Sequence, residues 1–395
     1  MHDSEAPTVA EMSDAAHADG RTALRDIAVL FLKLGTTAFG GPAAHIAMMD
    51  EEVVRRRRWL SEQEFLDYLS ATNFIPGPNS TEMAIHIGHS RAGWSGLIVA
   101  GTCFIFPATI IVGFIGWLYV RFEELPQVAG LLYGIKPVVI AIVVQALWRL
   151  GRSAVRTQWL AFVGASCLLL TLAGIHELIV LAIGGVVSLA IRWRELRISS
   201  AVALSGFLGG ATASTTAPLI GLGPIFLVFA KIGSVLFGSG YVLLAFLRAD
   251  LVVRYHWLTE KQLLDAVAVG QITPGPVFTT ATFVGYLLHG SSGAVAATFG
   301  IFLPAFLFVA LTAPMMPRLR SSRVAAAILD GINVASLALM AMVTWQLMRA
   351  AVIDWITLSI ALLSAFLLLR FRALNSAWLI LAAGILGVVK TVIRL

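Results

Sequence analysis

Asn73-Phe74-Ile75-Pro76-Gly77-Pro78 and Gln271-Ile272-Thr273-Pro274-Gly275-Pro276 are one pattern written twice, 271 − 73 = 198 residues apart. A Pro-Gly-Pro run cannot lie inside a continuous helix, because each proline lacks an N–H and the glycine costs about 1 kcal/mol against alanine. Each copy therefore predicts a broken helix. The same offset joins Lys33-Leu-Gly-Thr-Thr-Ala-Phe39-Gly40-Gly41-Pro42 to Lys231-Ile-Gly-Ser-Val-Leu-Phe237-Gly238-Ser239-Gly240, and Trp59-Leu60-Ser61-Glu62 to Trp257-Leu258-Thr259-Glu260. After one deleted residue the register continues at 197, pairing residues 101–107 with 298–304 and Gly134-Ile135 with Gly331-Ile332. A single register change over about a hundred residues marks an internal duplication.

Composition says where the duplicated unit lives. Of 395 residues 58% are hydrophobic and 13% charged, and the mean hydropathy is +0.86, far more apolar surface than a soluble domain can bury. Apolar runs such as residues 138–147, 160–173, 178–191 and 356–369, taken with their flanks, approach the roughly 20 residues that a helix needs to cross a bilayer. They do not alternate as barrel strands would. Residues 1–23 carry Asp3, Glu5, Glu11, Asp14 and Asp19 and no apolar core, which predicts a disordered acidic tail, not a signal peptide. The net charge of +6 comes from arginines in short loops beside apolar segments, so it orients the chain in a membrane and does not point to nucleic acid. Cys103 and Cys167 lie in apolar runs without metal or disulfide spacing. Walker A, HExxH and nucleophile-elbow patterns are absent, so neither an enzyme nor a cofactor is predicted.

The two copies face opposite ways. In the first, Glu123 and Glu124 precede the basic stretch 149–156; in the second, Arg318, Arg320 and Arg323 come first, and Arg349 follows balanced by Asp354. Basic loops stay in the cytoplasm, so equivalent loops lie on opposite sides. The expected fold is an all-α integral membrane protein, an inverted-topology duplication of two helical repeats with broken, re-entrant-like helices at the Pro-Gly-Pro motifs and about ten crossings. The expected organisation is a tail (1–23), a first repeat (24–197), a linker or extra crossing (198–218) and a second repeat (219–395). Both termini then fall on one side of the membrane.

In transporters, broken helices at membrane depth point their half-helix N-termini at an anionic substrate. Asn79-Ser80-Thr81-Glu82 after the first break has the pattern of a capped helix start, and Thr279 and Thr280 follow the second. Lys33 and Lys231 each lie in an apolar helix, where an unpaired charge costs at least about 2.5–3.5 kcal/mol. The candidate substrate-binding residues are Lys33, Phe39, Gly40, Gly41, Asn73, Pro76, Gly77, Pro78, Asn79, Ser80, Thr81, Lys231, Phe237, Gly238, Ser239, Gln271, Pro274, Gly275, Pro276, Thr279 and Thr280. Asp67 and Asp265 are also equivalent and fit either proton carriage or structural pairing. Trp59 and Trp257 read as interfacial anchors at helix caps, and His45, His86 and His89 occur only in the first copy.

The segments Phe39-Gly-Gly-Pro-Ala-Ala-His45, Trp59-Leu-Ser-Glu-Gln-Glu-Phe65, Asn73 to Glu82, Phe237-Gly-Ser-Gly-Tyr241 and Gly270 to Thr280 resemble the chromate ion transporter family of bacterial inner-membrane proteins, in its long two-domain form. The resemblance implies efflux of chromate, with sulfate as the look-alike ion, giving chromate resistance. The reading that follows is a multi-pass secondary transporter of the bacterial cytoplasmic membrane, driven by membrane potential, a proton gradient or both. Its partners are the oxyanion and the lipid bilayer, with a homodimer as the allowed assembly and no metal. The alternative is a transporter or channel for sulfate or another oxyanion.

Overall fold

The computed structural model describes residues 9–39, 41–196, 220–237, 240–312, 322–371 and 376–394, and the regular secondary structure among them is helical. The segment read as linker or extra crossing lies outside the described residues, as do Gly40, Gly238 and Ser239. The first repeat supplies α1 (Val9–Thr37), α2 (Pro42–Asp50) continued by a π-helical turn (Glu51–Arg56), α3 (Glu62–Thr72), α4 (Asn79–Phe122), α5 (Pro126–Ala154), α6 (Gln158–Leu172) and α7 (Glu177–Leu196). The second supplies α8 (Leu222–Val235), α9 (Leu243–Leu247) continued by a π-helical turn (Arg248–Arg254), α10 (Glu260–Ile272), a 3-10 turn (Val277–Thr279), α11 (Thr280–Thr312), α12 (Arg323–Ala351), α13 (Trp355–Arg370) and α14 (Ser376–Arg394). Even the π-helical turns recur. One difference from the sequence reading is that α1 begins at Val9, inside the stretch expected to be a disordered tail. Ala10, Ala15, Ala16 and Ala18 are strong helix formers and extend the apolar helix backwards through the acidic residues.

α3 and α10 start at full capping boxes: the Ser61 hydroxyl accepts from the Glu64 amide while the Glu64 carboxylate accepts from the Ser61 amide, and Thr259 with Gln262 does the same. Beside the first box, the guanidinium groups of Arg57 and Arg91 lie 5.1 and 5.6 Å from the centre of the Trp59 ring, so the tryptophan anchor is also a cation–π platform.

A straight helix of 44 residues would be about 66 Å long, twice the ~30 Å hydrocarbon layer. α4 solves this by folding over. Ala92 (φ −145°, ψ 29°) and Gly93 (φ 58°, ψ −144°) leave the helical region, and beyond them Gly96 returns against Gly88, so close that a Cβ on Gly96 would stand 2.1 Å from the Gly88 carbonyl oxygen. Positions eight apart in an unbroken helix are separated by about 12 Å. α4 is therefore two antiparallel arms, 79–91 and 94–122. α11 repeats the device at His289-Gly290, with Gly293 against Gly285. α3 in turn runs back beside the first arm of α4, since Tyr68 stacks on His86 with ring centroids 5.4 Å apart. The Pro-Gly-Pro segment is the tip of that hairpin.

The long arms of α4 and α11 pack against each other in opposite directions. Gly101, near the start of one, lies under the Phe306 ring near the end of the other, whereas Gly116 and Tyr119, near the end of the first, meet Tyr286 and Phe283 of the short arm of α11, which lies against the start of its long arm at Gly293. The turn at Gly93 and the turn at Gly290 therefore sit at opposite ends of the bundle. The outer helices are exchanged between repeats. Gly134 of α5 takes the Ala383 backbone of α14, and reciprocally Gly331 of α12 takes the Gly184 backbone of α7. Polar ties follow the same logic. The Tyr133 hydroxyl donates to Asp354 at 2.7 Å, with Lys390 at 3.0 Å, and the position 197 residues after Tyr133 is Asp330, which pairs with Arg192 at 2.9 Å. The hydrogen bonds from the Tyr133 hydroxyl and the Thr357 amide hold the Asp354 carboxyl well below the usual carboxylate range.

On the long arm of α4, Leu97, Ala100, Phe104, Ala108, Val112 and Tyr119 face inward, while Ile98, Phe106, Ile110, Phe114 and Trp117 stay exposed on the outer face. A stripe of that kind in water would be an aggregation site; in a bilayer it is the solvated surface. Five of the described helices are long and apolar enough to cross a membrane, and α6, α8 and α13 are shorter apolar helices. The chain is a multi-pass helical membrane protein.

Candidate functional site, a polar cavity between the repeats

Each Pro-Gly-Pro turn docks on the opposite repeat. Gly77 (φ +142°) donates its amide to the Leu236 carbonyl at 2.7 Å, and Gly275 (φ +85°) donates to the Ala38 carbonyl at 3.0 Å; the acceptors are themselves equivalent, 236 − 38 = 198. Ala305 lies beside Gly77, and Ala108, its counterpart at 305 − 108 = 197, beside Gly275. Positive φ and close backbone approach explain why the residue between the prolines is glycine in both copies. The reciprocity also means that these two amides are spent on protein carbonyls and are not held out to a ligand.

Next to the first turn, a cavity of ≈ 610 Å³ opens between the repeats. Asn73 and Asn79 of the first turn, Ser153, Ala154 and Arg156 at the end of α5, Pro42 and Ile46 of α2, Gly240 and Val242 before α9, and Asp330, Asn333 and Ser336 of α12 all line it. Asn79 is the first residue of its helix, and Pro78 at the N-cap supplies no side-chain cap, so the positive end of the arm 79–91 is directed at the cavity. Asn79 Nδ2 donates to Asn73 Oδ1 at 3.2 Å, Arg156 Nε donates to the Ser153 carbonyl at 2.9 Å, and the buried Ser336 hydroxyl has no hydrogen-bond partner among the described residues. The Asp330 carboxylate is engaged by Arg192. Amides, hydroxyls, a guanidinium and a helix N-terminus place donors within an otherwise largely apolar lining, and such donors suit an acceptor-rich, donor-free anion.

Of the candidate residues in the sequence, the cavity takes Asn73 and Asn79. Ser80, Thr81, Thr279 and Thr280 are buried in the helix starts, and the hydroxyls of Thr279 and Thr280 donate to the Pro276 and Val277 carbonyls at 2.8 Å each. Pro76, Pro78, Pro274 and Pro276 frame the docked turns; Gln271 is half-buried, and Phe237 packs on the core while Phe39 is exposed. Gly41 (φ +76°) faces the Tyr241 hydroxyl, which a Cβ there would approach to 3.0 Å. Lys33 and Lys231 are not unpaired ions. Lys33 meets Glu52 at 2.7 Å and Lys231 meets Asp250 at 2.5 Å, with 250 − 52 = 198, and Arg56 and Arg254 bind the same two carboxylates. The lysine cost argued from sequence is met by a carboxylate on the following π-helical turn. The capped start read at Asn79 to Glu82 also needs correction. The N-cap is Pro78, so a closing carboxylate would have to stand at Thr81, and Glu82 lies one position too far along.

Sequence reasoning missed Lys136. Its ammonium pairs with Asp265 Oδ1 at 2.8 Å, and the Tyr119 hydroxyl donates to Asp265 Oδ2 at 2.9 Å, with Asp265 fully buried. A charge inside the apolar run of α5 was the available signal. Its equivalent, at 333 − 136 = 197, is Asn333 of the cavity. One repeat position thus forms a buried ion pair in one copy and lines the cavity in the other. Among the described residues no cluster of His, Cys, Asp or Glu could hold a metal ion.

A family model described as Chromate transporter matches residues 25–189 and again 223–388. The chromate transport protein of Cupriavidus metallidurans is 32% identical over 93% of this chain and 93% of its own length. The probable chromate transport protein of Synechococcus elongatus is 32% identical over 94% and 97%, and the chromate transport protein of Pseudomonas aeruginosa 32% over 90% of each. No solved structure matches the chain.

Proposed function

Because this chain belongs to the chromate transporter family, we propose that it is a secondary transporter that exports chromate across the bacterial cytoplasmic membrane and confers chromate resistance. The observation that carries the reading is the donor-lined cavity at the uncapped start of α4. Chromate near neutral pH is mainly a tetrahedral dianion with oxygen acceptors and no donor, and the lining offers amide, hydroxyl and guanidinium donors among apolar side chains, with Asp330 held by Arg192. The antiparallel long arms and the reciprocal docking of the Pro-Gly-Pro turns support an inverted-topology pair, with the anion near its two-fold axis. The cavity opens at the end of the bundle where α5 carries Arg149, Arg152 and Arg156, the cytoplasmic end by the distribution of positive charge. At the far end Lys136, Asp265 and Tyr119 close the path. This is the arrangement of an inward-open exporter, and rocking one repeat against the other would exchange the open and closed ends.

Voltage can drive it. With the inside negative by ~100 mV, expelling a dianion releases about 4–5 kcal/mol, enough for uphill export without ATP. The test is uptake of labelled chromate into inverted vesicles under imposed voltage or pH gradients, with sulfate as competitor. Saturable, voltage-dependent accumulation is expected in wild type. Arg156→Ala and Asn79→Ala each remove a hydrogen bond to a charged ligand, worth about 1.5–3 kcal/mol, and are expected to weaken apparent affinity by about ten- to a hundredfold. Wild-type vesicles that accumulate no chromate sink the reading, and unchanged affinity in both variants removes the cavity as the site.

A further inference from the structure

Glu82 is fully buried, and among the described residues neither of its carboxyl oxygens has a hydrogen-bond partner. It lies under the first Pro-Gly-Pro turn: a Cβ on Gly77 would stand 2.4 Å from Glu82 Oε1, so the glycine also leaves room for this carboxyl. The cavity-lining Asn79 is three residues away on the same arm. We propose that Glu82 is the proton-binding site of the transporter, and that a proton on Glu82 travels with the oxyanion. The proposal rests on the oxyanion reading above and adds to it the group that couples anion and proton.

An ionised carboxylate here would be an unpaired charge in a dry interior, which proteins avoid by neutralising the group. A dianion at the start of the arm and a carboxylate within a turn of it repel strongly at low dielectric, so the anion-bound form requires the neutral acid. The equivalent position in the second repeat, 280 − 82 = 198, is Thr280, whose hydroxyl is satisfied by the Val277 carbonyl. The proton site therefore belongs to one repeat, on the cavity side. With the proton on board, each exported dianion moves one net negative charge and not two, and voltage still drives it outward.

Other titratable and charged groups surround this region. His86 and His89 share the arm, and Asp67 and Tyr68 lie on α3, where Tyr68 stacks on His86. Lys33 is held by Glu52, His45 contacts the Ala38 carbonyl, Lys231 is held by Asp250, and Arg156 and Asp330 line the cavity. Among the described residues none of them forms a hydrogen bond with Glu82.

The experiment uses the full-length protein and sulfate, which stays a dianion from mildly acidic to mildly alkaline pH. Wild-type affinity is expected to fall about tenfold for each pH unit above the titration of the group, as one linked proton requires. Glu82→Gln, isosteric with the neutral acid, is expected to bind sulfate with no such slope. In the pH range where that slope is seen, binding by wild type is expected to take up a proton from weakly buffered solution, and binding by Glu82→Gln to take up none. His86→Gln is expected to keep the wild-type slope. A wild-type slope retained in Glu82→Gln, a slope lost in His86→Gln, or no slope and no proton uptake by wild type at any pH would each overturn the assignment while leaving oxyanion binding intact. Absence of binding of both sulfate and chromate by wild type at every pH would instead remove the transport reading and this proposal together.

Discussion

Gly134→Ala is expected to abolish most of the folded protein. The helix pair α5 and α14 approaches so closely at this point that the added Cβ would stand 1.8 Å from the Ala383 carbonyl oxygen. The obstacle is backbone, which cannot swing aside as a long side chain can. Overpacking of a tight interior usually costs about 1–3 kcal/mol, and here a whole helix must shift, so the cost belongs at or above the top of that range. The reciprocal site, Gly331 against the Gly184 carbonyl at 2.1 Å from a built Cβ, is expected to respond in the same way. Gly151→Ala is the control. It lies in the same α5, nothing stands within 4 Å of its Cβ position, and alanine in an open helical position should gain about 0.5–1 kcal/mol. Thermal unfolding and size-exclusion profiles of detergent-purified protein distinguish these outcomes. If Gly134→Ala melts with wild type, α5 and α14 do not meet backbone to backbone, and the exchange of outer helices between repeats is wrong.

Lys136→Ala and Asp265→Ala are each expected to destabilise by about 3–5 kcal/mol, because truncating one member of a buried pair strands the other charge without a partner. Removing both should cost much less. Lys136→Met combined with Asp265→Leu replaces the pair with apolar groups and is expected to recover most of the loss. The double-mutant cycle should therefore give a coupling energy at or above the upper end of the usual range of about 0.5–3 kcal/mol. Tyr119→Phe, which removes a single hydrogen bond to the carboxylate, is expected to cost about 1.5–3 kcal/mol. Additive effects of the two alanine changes would show that the ion pair does not close this end of the bundle, and with it would go the closed exit of the proposed inward-open state.

The two Pro-Gly-Pro segments were legible as breaks because proline and glycine act on the backbone locally, wherever the chain is placed. Their docking was not legible. That Gly77 meets Leu236 and Gly275 meets Ala38 follows from a symmetry between halves, and no local propensity encodes it. The lysines show the same divide. Lys33 and Lys231 could be read as costly charges in apolar helices, but the remedy, Glu52 and Asp250, sits on the π-helical turn that each chain segment makes next. Arg156 was grouped with a basic loop and served only to orient the chain; its place on the cavity comes from packing α5 against α12 and the first turn. In the sequence Glu82 reads as a capping residue because the Asn-x-x-Glu pattern satisfies that rule; with the helix starting one residue earlier it is a buried acid without a hydrogen-bond partner among the described residues.

By itself the sequence determined that the chain is helical, membrane-embedded, duplicated and broken at two equivalent places. These are properties of composition and of covalent order, and they survive any arrangement of the helices. Only the tertiary structure decided that the 44-residue α4 is two arms, that the outer helices exchange between repeats, and that Asn333 opens onto a cavity while its counterpart Lys136 is sealed against Asp265. The reason is physical. Two copies of one sequence pattern have the same local preferences, so whether a given position opens or closes depends on which groups from the other copy reach it.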